Sequence, residues 1–96
     1  MAMDIPSKLN ILGHDYTVDL TNDLLCTETM GVHCKDKSKI VVCADISESQ
    51  QASTLLHEII EAINSMQEIG LEHQQICQIE AGLFQVMKNN NLNFGT

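Results

Sequence analysis

Aromatic side chains are nearly absent: two Phe, one Tyr and no Trp in 96 residues. The chain therefore has little with which to recognise a bulky ligand by stacking. Positive charge is scarce too. Five Lys and Arg stand against 13 Asp and Glu, a formal net charge of −8, and a surface of that sign repels a phosphate backbone instead of releasing its counterions. Nucleic acid is not expected as a partner, whereas a protein, a peptide or a cation is. A basic start followed by an apolar stretch is missing, and no apolar run approaches the roughly 20 residues that cross a bilayer. The expectation is a soluble protein of the cytoplasm with no membrane partner.

Closely paired cysteines are missing as well. Cys26, Cys34, Cys43 and Cys77 include no C-x-x-C pair, and without signs of secretion the expected state is the reduced thiol. The alternative is a zinc site drawn from Cys26, His33, Cys34 and Cys43, against which counts the usual close pairing of structural zinc ligands.

With 44% hydrophobic residues the chain can fill one small core and no second. Residues 1–96 are read as a single α+β domain that changes character near Asp45: 1–45 strand-rich, 46–91 a helical hairpin. Lys8 to Leu12 and Tyr16 to Leu20 flank Gly13-His14-Asp15, a hairpin with the glycine at positive φ. Thr21-Asn22-Asp23 breaks the pattern. Met30 to Lys35 and Lys39 to Ala44 flank Asp36-Lys37-Ser38, a second hairpin whose strand Ile40-Val41-Val42-Cys43 is apolar throughout and so central. Three or four antiparallel strands are predicted.

Ser47-Glu48-Ser49-Gln50 has the form of a reciprocal capping box and starts a helix. Ala52, Leu55, Leu56, Ile59, Ile60, Ile63 and Met66 form its buried stripe, and Gly70 suits the left-handed position that ends it. A second helix follows from about Glu72 to Asn89 with Ile76, Ile79, Leu83, Val86 and Met87 as its apolar face. So short a connection makes the two helices antiparallel.

The chemistry is concentrated in His57-Glu58-Ile59-Ile60-Glu61. His57 and Glu61, four apart, share one helix face and can grip one cation. Glu58 lies about 100° round the helix, where a carboxylate can take a proton from a water that the metal acidifies. On the second helix His73, Cys77 and Glu80 form a second polar line. Equal counting from Gly70 sets Glu80 level with the His57–Glu61 pair and His73 about 12 Å away along the axis at 1.5 Å per residue. His73, however, completes the two-imidazole, one-carboxylate set that zinc favours, whereas Glu80 makes a set suited to manganese or iron. Both stand as candidates for the third ligand. His14 and His33 are read as surface residues of a turn and a strand.

The zinc-peptidase helix His-Glu-x-x-His has Glu61 here in place of its second imidazole. Together with Asn10 to Val18, Gln51 to Asn64 and Glu80 to Asn90, it makes most of the chain resemble the small phage-associated zincin-like proteins related to ImmA/IrrE-type metallopeptidases. The resemblance implies a minimal zincin-like fold, a small sheet followed by a helix pair, in a protein encoded by a phage or prophage. It implies zinc held by His57, with Glu58 as general base, and cleavage of a protein substrate. The second ligand falls on Glu61, and the Glu expected on the second helix falls on Cys77. A set with the carboxylate on the first helix and an imidazole on the second keeps the ligand types and exchanges their places. The competing reading is a non-catalytic phage accessory protein that acts by binding another protein. A nucleotide pyrophosphatase reading of Glu58-x-x-Glu61 lacks the second carboxylate pair that it needs.

Overall fold

A computed structural model describes residues 4–22 and 30–94; Asp23 and Cys26, and with Cys26 the zinc set built on it, lie outside them. The order is β1 (Lys8–Ile11), β2 (His14–Thr21), β3 (Gly31–Cys34), a 3-10 turn (Lys35–Lys37), β4 (Lys39–Cys43), α1 (Glu48–Gln67) and α2 (His73–Asn89). This is the α+β architecture expected, a four-stranded sheet followed by two helices.

The first hairpin closes through a two-residue turn, Leu12 at φ 52° and Gly13 at φ 85°, the left-handed pair that matches strand twist. Asn10 fastens it: its Oδ1 accepts from the Gly13 amide at 3.1 Å and its Nδ2 donates to Asp15 Oδ1 at 3.1 Å. The turn sits one residue earlier than expected, so His14 and Asp15 belong to β2. In β2 only Tyr16 and Val18 are buried, the alternation of a strand with one face on the core.

Strand order is β1-β2-β4-β3, with β4 central as its apolar run requires. The β1–β2 and β3–β4 pairs are antiparallel, but β2 and β4 run parallel, Val18 opposite Ile40 and Leu20 opposite Val42. The sheet is therefore mixed and mostly antiparallel, where only antiparallel strands were expected. β3 becomes an edge strand.

Ser47 caps α1 as the sequence predicts: its Oγ accepts from the Gln50 amide at 3.2 Å, while Gln50 Oε1 accepts from the Ser47 amide at 3.3 Å. One side of α1 closes over the sheet, with Leu55 and Ala62 buried against Ile11, Tyr16, Val18, Ile40 and Val42. Its other side offers Leu56 and Ile60 to Ile76 of α2, flanked by Leu71, Phe84 and Met87. Burial of each such aliphatic side chain contributes about 1.5–3 kcal/mol. The result is three tiers: sheet, α1, α2.

α1 ends at Gln67, three residues before Gly70, with Glu68 as its left-handed cap at φ 50°. Asn64 then clips the connection, accepting from the Leu71 amide at 2.8 Å and donating to the Leu71 carbonyl at 3.2 Å. Contacts between the helices fall in reverse order, Asn64 with Leu71, Glu61 with His73 and Ser53 with Glu80, so the helices are antiparallel. Their mirror point lies near Gln67 instead of Gly70. Among the described residues no helix is long and apolar enough to cross a membrane.

Candidate metal centre between the helices

The shifted mirror point decides what faces what. The level midway between His57 and Glu61 falls opposite Gln75 and Ile76, and His73 and Glu80 lie on either side of it. Both therefore reach His57. His73 approaches with ring centroids 5.2 Å apart, edge to face, and the axial distance counted from Gly70 does not apply. Glu80 Oε1 lies 3.4 Å from His57 Nδ1, and Glu61 Oε2 lies 3.4 Å from His57 Nε2 and 4.0 Å from His73 Nδ1. The structure thus brings together His57, Glu61, His73 and Glu80.

It adds Cys77, a free thiol whose Sγ is 3.4 Å from His73 Nε2. One ligand atom each from His57, His73 and Cys77 fall within 4.8 Å of one another. Cys77 had the spacing of a ligand, four after His73, and matched the position of the missing helix-two Glu in the resemblance. A thiol also packs as a small core residue, so its place on the polar line alone did not make it a candidate ligand. Cys34 is also a free thiol, whereas Cys43 is disulfide-bonded, so the expectation of reduced cysteines fails at Cys43.

A cation fits this donor set for a specific reason. A neutral imidazole donates from one nitrogen and presents a lone pair at the other, yet both His57 nitrogens face a carboxylate oxygen at 3.4 Å. Positive charge at one of them removes the clash. Glu80 is already engaged, accepting from Ser53 Oγ at 3.0 Å. It is placed to accept also from His57 Nδ1, the arrangement by which a carboxylate fixes the tautomer of a ligating histidine and turns its Nε2 outward. Glu61 stands at that Nε2, and His73 and Cys77 each bring a ligand atom within 4.8 Å of one on His57. Zinc at about 2.0–2.3 Å from tetrahedral N, O and S donors sets them roughly 3.3–3.8 Å apart; the His57–Glu61 and His73–Cys77 separations of 3.4 Å have that spacing, while Glu61 faces His73 Nδ1 at 4.0 Å and Cys77 faces its Nε2, so the two offer an ion different sides of that ring.

Glu58 points elsewhere. It is 7% exposed, on the side of α1 turned to β3. Gly31 covers it so closely that a Cβ there would lie 2.5 Å from Thr54 Cγ2 and 3.3 Å from Glu58 Oε2. Burial raises the Glu58 carboxyl from 4.5 to about 7, opposed by the His57 charge and assisted by Glu61. His57, Glu58, His73, Cys77 and Glu80 line one cavity of about 280 Å³, walled by Met30 and Gly31.

The two remaining histidines behave differently. His33 stacks on Tyr16 with centroids 5.7 Å apart, and its Nε2 lies 3.2 Å from the Tyr16 hydroxyl, which also contacts Met66 Sδ at 3.4 Å. His14 lies exposed beside a second cavity of about 330 Å³ with Tyr16, Ser38 and Met66. Among the described residues no carboxylate lines that cavity.

No family model matches the chain, and neither a curated protein nor a solved structure matches it significantly.

Proposed function

We propose that the chain is a metal-dependent hydrolase of zincin-like type that cleaves a protein or peptide, with zinc as the metal and manganese or iron as alternatives. The observation that carries this reading is the convergence of His57, His73 and Cys77 within 4.8 Å, in one cavity with the buried Glu58 carboxyl. His57 and His73 are the imidazole ligands, and Glu61 or Cys77 completes the set. Glu80 positions His57 through Nδ1. When bound, the metal polarises a substrate carbonyl and acidifies water. Glu58, whose carboxyl burial lifts to about 7 and which lines the same cavity, would take a proton from a water held there and return it to the leaving amine. The phage setting is inferred from the resemblance. A cytoplasmic setting is inferred from the free thiols Cys34 and Cys77, and the disulfide at Cys43 is the feature that pulls the other way.

A second reading rests on the donor count. With Glu61 and Cys77 both bound, which needs a turn of side chains because they face opposite nitrogens of His73, all four positions of a tetrahedral ion are filled by protein, the mark of a structural site. The ion then clips α2 to α1, and the protein acts by binding another protein.

Zinc titration by calorimetry, followed by cleavage of a quenched-fluorescence peptide library, separates the readings. The hydrolase binds about one zinc per chain. Glu58→Gln should keep that zinc and lose about 100-fold or more of the activity. Stoichiometric zinc without cleavage by wild type supports the structural reading, and absence of zinc binding refutes both.

A further inference from the structure

Residues of α2 that face neither α1 nor the cavity carry a pattern that intrachain packing leaves unused. Ile79, Leu83 and Val86 are 41–44% exposed, although Ile76 beside them is buried. At about 100° per residue these three side chains cover roughly 60° of arc, a continuous apolar stripe. Gly82 adjoins it in mid-helix, where glycine is unfavourable. Among the described residues no contact accounts for that glycine, because a Cβ at Gly82 would meet nothing within 4 Å.

The spacing has a symmetry of its own. Residues 79, 82, 83 and 86 are arranged evenly about a point between 82 and 83. If a second copy lies antiparallel across that point, Ile79 of each chain meets Val86 of the other, and Leu83 of each fills the notch left by the other's Gly82. A self-complementary patch of this kind is what a two-fold contact requires, since each residue must find its mate on an identical surface.

Charge selects the same occupant. In a chain of net charge −8, α2 contributes only Glu80 and Lys88. Glu80 is turned to Ser53 and His57, and the Lys88 ammonium lies 5.9 Å from the centre of the Phe84 ring, away from the stripe. A basic partner would need acidic residues around the stripe, and an anionic lipid surface would need basic ones; α2 offers neither there. An uncharged face lets two copies of so acidic a chain touch without placing like charges together.

From the apolar stripe, the Gly82 notch, the symmetric spacing and the missing charge, we infer that the outer face of α2 is a homodimer contact, antiparallel about a two-fold axis between Gly82 and Leu83. One helix pair buries less than the standard interface of about 1,600 Å², so the dimer dissociates in the micromolar range. Repulsion between the acidic bodies opposes it, and salt therefore tightens it.

Sedimentation equilibrium of the full chain under reducing conditions, from about 1 μM to 1 mM, tests the inference. The expected result is a monomer–dimer transition that moves to lower concentration when NaCl is raised from about 50 to 500 mM. Leu83→Asp should leave the circular dichroism spectrum unchanged and weaken association at least tenfold. Gly82→Leu is the sharper variant: nothing in the monomer opposes the side chain, so the melting temperature should hold or rise while association weakens at least tenfold. A monomer at every concentration and salt overturns the inference, as does a dimer indifferent to both substitutions.

Discussion

The two helices have similar length and opposite circumstances. α1 buries Ala52, Thr54, Leu55, Leu56, Glu58, Ile60 and Ala62, pressed between the sheet and its neighbour, whereas α2 buries Ile76 alone. α1 is held by the hydrophobic core, and α2 rests on a small apolar cluster, the Asn64 clip and the polar groups of the candidate centre. The difference teaches that the proposed centre lies at the weaker of the two seams. If the groups shared between the fixed helix and the lightly held one take up an ion, as proposed, its binding also attaches the outer tier.

Core truncation should break that contrast most strongly. Leu55→Ala, at a fully buried site under the sheet, is expected to cost about 2–5 kcal/mol in urea unfolding and to weaken both helices together. Ile76→Ala should instead release α2 first, seen as loss of amide-exchange protection in residues 73–89 while β4 stays protected. Equal loss of protection in both elements would show that the helices form one cooperative unit.

Zinc should sharpen the contrast. At about 100 times its dissociation constant it stabilises the fold by about 2.7 kcal/mol, with the gain in protection concentrated in α2. His57→Ala and His73→Ala should abolish that gain, and a gain surviving in both variants would place the ion elsewhere.

Glu58 gives the pH arm, read on chelated protein. Its folded pKa of about 7 lies above the unfolded value of 4.5. Its contribution is thus complete below about pH 4.5 and lost as pH rises through 7. Relative to Glu58→Gln, wild type should lose on the order of 2 kcal/mol across that window, which paired urea titrations at several pH values would measure. A constant difference between the two proteins would mean that the carboxyl is not desolvated. The smallest effect is expected at the connection: Asn64→Ala removes both bonds to Leu71 and should cost about 1 kcal/mol, read from the urea midpoint, with α2 exchange affected more than α1.

Local signals carried most of the fold. Gly13 marked the first hairpin, Ser47 and Gln50 the start of α1, and the run Ile40 to Cys43 the central strand, because each depends on chemistry within a few residues. The parallel pairing of β2 with β4 was hidden, since no turn residue encodes which strand lies beside which after a longer connection. In the candidate centre the pairing of His57 with Glu61 followed from helical spacing. The approach of His73 did not, because it depends on α1 stopping at Gln67, where Glu68 takes a left-handed conformation that a sequence assigns more readily to Gly70. Burial of Glu58 was legible in retrospect: it lies four residues from both Thr54 and Ala62, on a line that runs beneath β3.

Gly31 shows how little separates the sheet from the cavity beside α1. Its missing side chain lets an edge strand lie directly on Thr54 and Glu58, so the aperture of the cleft is fixed by the thickness of a bare backbone. Even one methyl group there would pry the strand outward like a shim under a door. The volume open to a visiting molecule and the wetness of the carboxyl beneath would then change together, from a position with no functional group of its own.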